Sequence, residues 1–386
     1  MPPCRPIPSW CRCTARRAFL ADLVEHLARL DYPAAKRQVL LVLESDDATT
    51  RAAAEAMVLP PGFETVLVPP CAPRTKPKAL MYALPFATGD YVVVYDAEDR
   101  PEPDQLRRAA AAFRGRQDLA CVQASLEPDN DGSLVAKLFA LEYAANFEVV
   151  LPSLAAWGVP VPLGGTSNHF PRAILEEAGG WDPFNVTEDA DLGIRLARFG
   201  YACTMLISRT YEEAPVSLRQ WFPQRRRWIK GWMQTALLSL PGRLPSRLRL
   251  PFRQWLAVQG ILTGGVLGLL LYPVSILAIV QTAKAIGEGR FSPGPAGWAL
   301  LAINGFNLLA ILSGASIAAL RGLSATRRLH RAWLIPLLPF YWGLMSLAAW
   351  QALADLMRSP WRWEKTTHGV AKDRRLILVH HAGSAG

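Results

Sequence analysis

Two kinds of hydrophobic pattern divide the chain. Up to about residue 215, unbroken apolar runs of strand length alternate with helical patterns. Gln38–Leu43 (QVLLVL) and Tyr91–Tyr95 (YVVVY) predict strands, and Thr49–Met57 and Pro77–Pro85 between them predict helices. A strand that is apolar at every position is covered on both faces, the condition of a mostly parallel sheet flanked by helices. The alternation therefore predicts an α/β, doubly wound sheet, whose ligands bind beyond the carboxyl ends of the strands.

Beyond residue 215 the period changes. Ser217–Leu238 places Leu218, Trp221, Trp228 and Trp232 on one helical stripe and Arg219, Arg226 and Lys230 elsewhere. This is an amphipathic, cationic helix expected to lie in a membrane interface, with an ordinary surface helix as the alternative. No charged side chain then occurs from Trp255 to Ala283, from Ser292 to Leu320, or from Ala332 to Ala354. Each run exceeds the roughly 20 apolar residues needed to cross a bilayer. The expected organisation is an irregular N-terminus at 1–18, an α/β unit at 19–215 and the amphipathic helix at 216–242. A membrane region follows at 252–357, with helices near 255–283, 296–320 and 332–356, and a basic tail at 358–386. The first 18 residues, MPPCRPIPSWCRCTARRA, hold no strand-like run, so the sheet is expected to lack its first strand.

Composition sharpens this picture. At 51% hydrophobic, 386 residues can bury a sizeable core, which excludes a disordered chain. Charged residues make up only 19%, below the roughly 25% of soluble domains. The net charge of +10 could mean nucleic acid, anionic lipid or a phosphorylated substrate. Position decides, because basic residues crowd beside the apolar runs, at Arg243, Arg247, Arg249 and Arg253, at Arg321, Arg327, Arg328 and Arg331, and from Arg358 to Arg375. That is the pattern of cytoplasmic segments touching membrane lipids. No nucleic-acid module is present, so no nucleic-acid partner is expected. The expectation is a multi-pass protein of the cytoplasmic (inner) membrane, with the α/β unit and the tail in the cytoplasm. Three crossings would leave that basic tail outside, so one segment is expected to be a hairpin or re-entrant, with Pro273 and the pair Pro336/Pro339 as candidate breaks. Six scattered cysteines make no disulfide framework, and Cys11 and Cys13 lack the companions of a zinc site.

Three stretches carry candidate chemistry. Tyr95-Asp96-Ala97-Glu98-Asp99 sets three carboxylates directly after a buried strand, where they repel one another unless a cation compensates. A divalent metal holding a diphosphate would do so; a turn or helix start is the alternative. Thr187-Glu188-Asp189-Ala190-Asp191 precedes a helical pattern from Leu192 to Phe199 and reads equally as a helix N-terminus with acids in its first turn. In Gln224-Arg225-Arg226-Arg227-Trp228, the residues Gln224, Arg227 and Trp228 stand at i, i+3 and i+4 on one face, a combination suited to a diphosphate beside a sugar ring. Arg225 and Arg226 read as a basic membrane anchor.

In this order and ahead of the apolar runs, these motifs resemble the membrane-embedded, cellulose-synthase-like branch of the family 2 glycosyltransferases. The resemblance runs from about Phe19 to Lys372. It rests on a DxD-like element at Asp96 and Glu98, a TED element at Thr187–Asp189 and a QxxRW element at Gln224, Arg227 and Trp228. Leu43–Asp47, Lys76–Leu80, Gly164–Asn168 and the tail Trp363–Gly369 (WEKTTHG) add to it. Two departures are Met81, where the family usually has Asn, and Glu98, where Asp is commoner.

The resemblance implies a GT-A fold and an inverting, metal-dependent transfer of a hexose from a nucleotide sugar (UDP- or GDP-hexose) to a growing polysaccharide. A lipid acceptor and an inactive membrane scaffold are the alternatives. It further implies that Glu44, Asp46 and Lys78 contact the nucleotide and that Asp96 and Glu98 hold Mg2+ or Mn2+ against the diphosphate. By the same resemblance Asp189 is the general base, Arg227 offsets leaving-group charge, and Gly165, Thr166, Gln224 and Trp228 receive the acceptor.

Overall fold

A computed structural model of the chain describes residues 7–12, 17–240, 245, 248–290 and 294–359. The WEKTTHG tail, nearly all of the basic tail, Cys13, Arg243 and Arg247 lie outside the described residues. Among the described residues, eight strands form one mixed sheet: β1 (Ile7–Arg12), β2 (Arg37–Glu44), β3 (Phe63–Val68), β4 (Tyr91–Asp96), β5 (Arg100–Pro101), β6 (Leu119–Pro128), β7 (Asn168–Pro171) and β8 (Ala202–Glu212). Their order is β3-β2-β1-β4-β7-β6-β8-β5. The β3-β2-β1-β4 half and the β6–β8 pair are parallel, and β7 runs antiparallel to both of its neighbours. The helices are α1 (Arg17–Ala28), α2 (Ala48–Glu55), α3 (Lys76–Ala83), α4 (Gln105–Ala112), α5 (Leu134–Ala145), α6 (Leu151–Ala156), α7 (Arg172–Glu177), α8 (Glu188–Arg198), α9 (Leu218–Leu238), α10 (Phe252–Gln259), α11 (Gly265–Gly287), α12 (Pro295–Ala325) and α13 (Leu338–Arg358).

The period-2 rule explains why β2 and β4 are apolar throughout. Val39, Leu41, Leu43, Val93 and Tyr95 point into a core with Leu20, Leu23, Ala53 and Leu106 of α1, α2 and α4. The alternate set, Leu40, Val42, Val92 and Val94, packs with Leu80, Leu151 and Leu192 of α3, α6 and α8. α2 and α3 begin at side-chain caps: Asp47 accepts from the Thr50 amide at 3.1 Å, and Thr75 accepts from the Lys78 amide at 3.4 Å. The second cap places Lys76 and Lys78 in one helical turn.

The first strand is present. β1 lies between β2 and β4 and is parallel to both, with Trp10 level with Leu40 and Val94. The expectation of a missing strand is therefore corrected, and with it goes the ground for an inactive scaffold. Pro8 forfeits one ladder hydrogen bond, and the segment lacks an apolar run of its own. Its pairing comes from the slot that two apolar neighbours leave open.

Among the described residues, three helices are long and apolar enough to cross a membrane: Phe252–Gly287, which joins α10 and α11, Pro295–Ala325, which is α12, and Leu329–Arg358, which ends in α13. Pro273 leaves α11 unbroken, whereas Pro336 sits in a 3-10 segment, Leu329–Leu337, that precedes α13. Two expectations about charge change here. Arg328 pairs with Glu127 at 2.8 Å and Arg331 with Asp131 at 2.6 Å, so both spend their charge on the α/β unit rather than on lipid. The tryptophan stripe of α9 is also covered by protein. Trp221 is wholly buried and donates to the Tyr341 hydroxyl at 2.8 Å, while Leu218 is exposed and Lys230 is buried.

Candidate active site

β4 delivers its carboxylates to the carboxyl edge of the sheet, and the two outer acids have different fates. Asp99 is buried; its Oδ2 accepts the Asp96 amide at 2.6 Å and the Thr166 hydroxyl. Burial, then the charges of Asp96 and Glu98, hold its carboxyl well above the ordinary range. Asp99 is thus the turn acceptor that the alternative reading allowed for. Asp96 faces outward instead and pairs with the Lys76 ammonium, which also donates to the Gly165 carbonyl at 2.5 Å. Burial alone would depress Lys76, but Asp96 and Glu188 keep it charged and above the usual lysine value.

The Gly164–Asn168 loop brings the second acid cluster to the same place. Gly164 donates to Gln123 Oε1 at 2.9 Å, which fixes the loop over β6. A Cβ at Gly165 would lie 3.3 Å from Asp189 Oδ2, so the bare backbone is what lets that carboxylate approach. α8 starts at Glu188; the Thr187 side chain makes no cap hydrogen bond, and Asp189 Oδ1 accepts the Ala190 amide at 2.8 Å. Asp191 turns inward to Arg195 at 3.2 Å. Glu188 is pushed up to about 7 by burial and by Asp189 beside it, with Lys76 opposing. Asp189 is raised as well, by burial, against the pull of its backbone hydrogen bond, Lys76 and Arg227.

α9 closes over this recess because Gly231 permits it. A Cβ there would meet Thr187 Oγ1 at 2.2 Å, and Asn185 donates to the Thr235 hydroxyl at 3.3 Å. Arg227 then acts electrostatically on both Glu188 and Asp189. Gln224 is buried, and its Oε1 has no hydrogen-bond partner among the described residues. Trp228 stands beside Tyr143 and Phe139, with ring centroids 6.3 and 6.1 Å away. Arg225, expected as a membrane anchor, is instead buried. It pairs with both oxygens of Glu142 at 2.5 Å, and its guanidinium lies 4.7 Å from the Trp228 ring and 4.9 Å from Phe139. Neighbouring aromatics accommodate the charge that burial would otherwise penalise.

Through β1, Arg12 is level with both Val42 and Asp96, so Glu44 and Asp96 reach the same sheet edge. Lys78 pairs there with Glu44 at 3.1 Å, both side chains being nearly buried. Asp46 pairs with Arg74 at 2.6 Å and is more exposed. Two residues escaped the sequence reading. Lys76 stands inside a stretch already singled out, two residues before Lys78, and its signal was a cation next to a helix cap. Glu212, the last residue of β8, is raised well above the ordinary carboxylate range by burial and then by Asp99, Glu98 and Asp96. Nothing local in the sequence marks it.

The family described as glycosyltransferase-like family 2 matches residues 11–231, more than half of the chain. The chain belongs to this family. The relative named "Probable glycosyltransferase YdaM" from Bacillus subtilis is 27% identical over 165 residues, which cover 42% of this chain and 39% of that protein. Glucomannan 4-beta-mannosyltransferase 2 of Arabidopsis thaliana is 29% identical over 144 residues, 37% of this chain and 27% of that protein. The matched part thus spans well under half of either relative. Mannosyltransferase PcManGT from Pyrobaculum calidifontis, solved in complex with GDP-Man and Mn2+, matches with a TM-score of 0.58 at 19% identity. That match covers 92% of this chain and 87% of the other, so the likeness of fold runs past the GT-A unit into the C-terminal helices.

The donor set of this family 2 member suits a hard divalent cation. Asp96 and Glu98 offer carboxylate oxygens, and after burial the charges of Asp99, Glu98 and Asp96 add to the rise at Glu212. Among the described residues no three His, Cys, Asp or Glu side chains form a ready cage. Mg2+ and Mn2+ need none, since such ions are commonly held by one or two carboxylates together with substrate phosphates and water.

Proposed function

We propose that this chain is an inverting, metal-dependent glycosyltransferase. It moves a hexose from a nucleotide sugar to a growing polysaccharide at the cytoplasmic face of the membrane. The observation that carries the reading is the gathering of Asp96, the Gly165 carbonyl and the Glu188–Asp189 pair around the Lys76 ammonium, beneath Arg227 of α9.

The chemistry follows from the placement. Asp189 takes the proton of the acceptor hydroxyl as it attacks the anomeric carbon, and burial raises its carboxyl in the direction a base requires. One base and direct displacement give inversion. Glu44, Asp46 and Lys78 contact the nucleotide from the same sheet edge as Asp96. When bound by Asp96 and Glu98, Mg2+ or Mn2+ would offset the diphosphate charge. Lys76 and Arg227 add positive charge to the departing diphosphate. Gly165 and Thr166 border the space where the acceptor hydroxyl must lie. The open Oε1 of Gln224 accepts a sugar hydroxyl, and the partly buried Trp228 offers the edge of a flat apolar platform.

The Arabidopsis relative and the Pyrobaculum neighbour are both named mannosyltransferases, which makes GDP-mannose the first donor to test. A lipid acceptor is the second reading, favoured by helices whose apolar surface lies bare beside the site. The test is sugar incorporation by membranes holding this protein, with labelled UDP- and GDP-sugars and Mg2+ or Mn2+, followed by sizing of the product. A metal-dependent polymer from one donor is the expected result, and a short organic-soluble product would move the reading to lipid glycosylation. Absence of transfer from every donor would overturn both.

A further inference from the structure

The three apolar helices are not equivalent. The most apolar stretches of Phe252–Gly287 and of α12 are 6% and 0% buried, whereas that of Leu329–Arg358 is 33% buried. The difference comes from how α13 is tied down. At its start, Tyr341 accepts from Trp221 of α9 at 2.8 Å and donates to Glu142 of α5 at 2.8 Å. Near its end, Asp355 pairs with Arg226 of α9 at 3.1 Å, and the Ser359 carbonyl accepts from Lys230 of α9 at 3.2 Å. Between them, Ala348, Ala349 and Ala352 pack on Ile229 and Met233 of the same helix. α9 itself is fastened to the α/β unit through Thr187 and Glu142.

The contacts with α11 say the same. The Pro339 carbonyl accepts from Tyr272, and Trp350 donates to the Leu270 carbonyl, at 2.7 and 3.1 Å. Positions eleven residues apart on α13, about 16 Å along its axis, thus meet α11 within two residues of one another. α13 crosses α11 rather than running beside it. A helix that spans a hydrocarbon layer about 30 Å thick must carry its ends to opposite sides, which α13 cannot do while its start is held by Glu142 and Trp221 and its end by Arg226 and Lys230 of α9, a helix itself fastened to the α/β unit.

We infer that α13 lies in the membrane interface on the side of the α/β unit, that only Phe252–Gly287 and α12 cross, and that the occupant of its free face is the lipid surface. Phe340, Leu347, Trp350 and Met357 share that exposed face, opposite Tyr341, Ala348 and Ala352. The face is continuous with the bare flanks of α11, and an apolar face beside tryptophan suits the headgroup boundary. Two crossings also return the basic tail to the side its charge favours, which removes the conflict posed by three. A two-helix hairpin encloses no pore, so one copy of this chain provides a membrane-bound transferase rather than an export channel.

The test uses the full chain carrying side-specific reporters, alkaline phosphatase and a fluorescent protein, at Met1, at Gly386 and inserted beside Gly289 in the α11–α12 connection. Both ends are expected on one side and the Gly289 insertion on the other. Ends on opposite sides would show that α13 crosses, and an insertion on the same side as both ends would show that the hairpin does not; either result overturns the inference. Where a bulky reporter blocks insertion, short epitope tags at the same three sites, read by protease protection in sealed vesicles, give the same answer.

Discussion

The two acid clusters, Asp96–Asp99 and Glu188–Asp191, look alike in sequence and diverge in the fold. Each contains three carboxylates within four residues, and each commits its last one to structure. Asp99 anchors the turn that follows β4, and Asp191 turns away to Arg195. Of the remaining acids, Asp96 pairs with Lys76, and Glu188 and Asp189 feel its charge, but their surroundings differ. Asp96 ends a strand and has no helix dipole to support it, whereas Glu188 and Asp189 sit in the first turn of α8, whose dipole favours negative charge. Even so, burial and the charge of Asp189 push Glu188 up to about 7. In the function proposed above, proton chemistry falls to the α8 cluster and ion binding to the β4 cluster.

The sharpest test of that division compares Asp189→Asn with Asp96→Asn. Asp189→Asn is expected to lower transfer about 1,000-fold, within the range for loss of a general base, while metal-dependent donor binding changes less than about threefold. Asp96→Asn should show the opposite split, losing donor binding first. Calorimetric titration of the donor beside an activity assay reads both, and equal loss of binding in the two variants would erase the distinction.

A smaller effect is expected at Asp99. Asp99→Ala removes the closer acceptor of the Asp96 amide and the Thr166 hydroxyl and leaves them the longer contacts to Thr166 Oγ1 and the Val94 carbonyl, at 3.3 and 3.2 Å, so stability should fall by about 1–3 kcal/mol. Thermal unfolding in detergent measures this. Wild-type stability in Asp99→Ala would mean that the turn holds without its acceptor.

The smallest effect concerns pH. Glu188 titrates at about 7 in the fold against 4.5 ordinarily, so between those values the folded chain keeps a proton that the unfolded chain has released. Stability should therefore fall as pH rises through that window, by at most about 1.4 kcal/mol per unit. Glu188→Gln should flatten the dependence between pH 5 and 7, and an unchanged slope would assign it to another group.

Much of this was legible in advance because it rests on local pattern. Apolar strands declare a sheet covered on both faces, charge-free helices declare lipid, and three ordered motifs declare the family. Lys76 and Arg225 were harder to read, because a cation's role depends on which carboxylate the fold brings to it. Glu212 was invisible, since its partners lie more than a hundred residues earlier in the chain.

The sequence by itself determined the α/β alternation, the apolar helices and which residues are chemically able to serve. Each of these depends on a side chain's own polarity repeated at a fixed period. Only the tertiary structure decided that Ile7–Arg12 is a central strand, which acid of each cluster turns inward, and how α13 lies against α9 and α11. Those outcomes depend on partners distant in the chain, whose hydrogen bonds and charges exist only once the elements are packed.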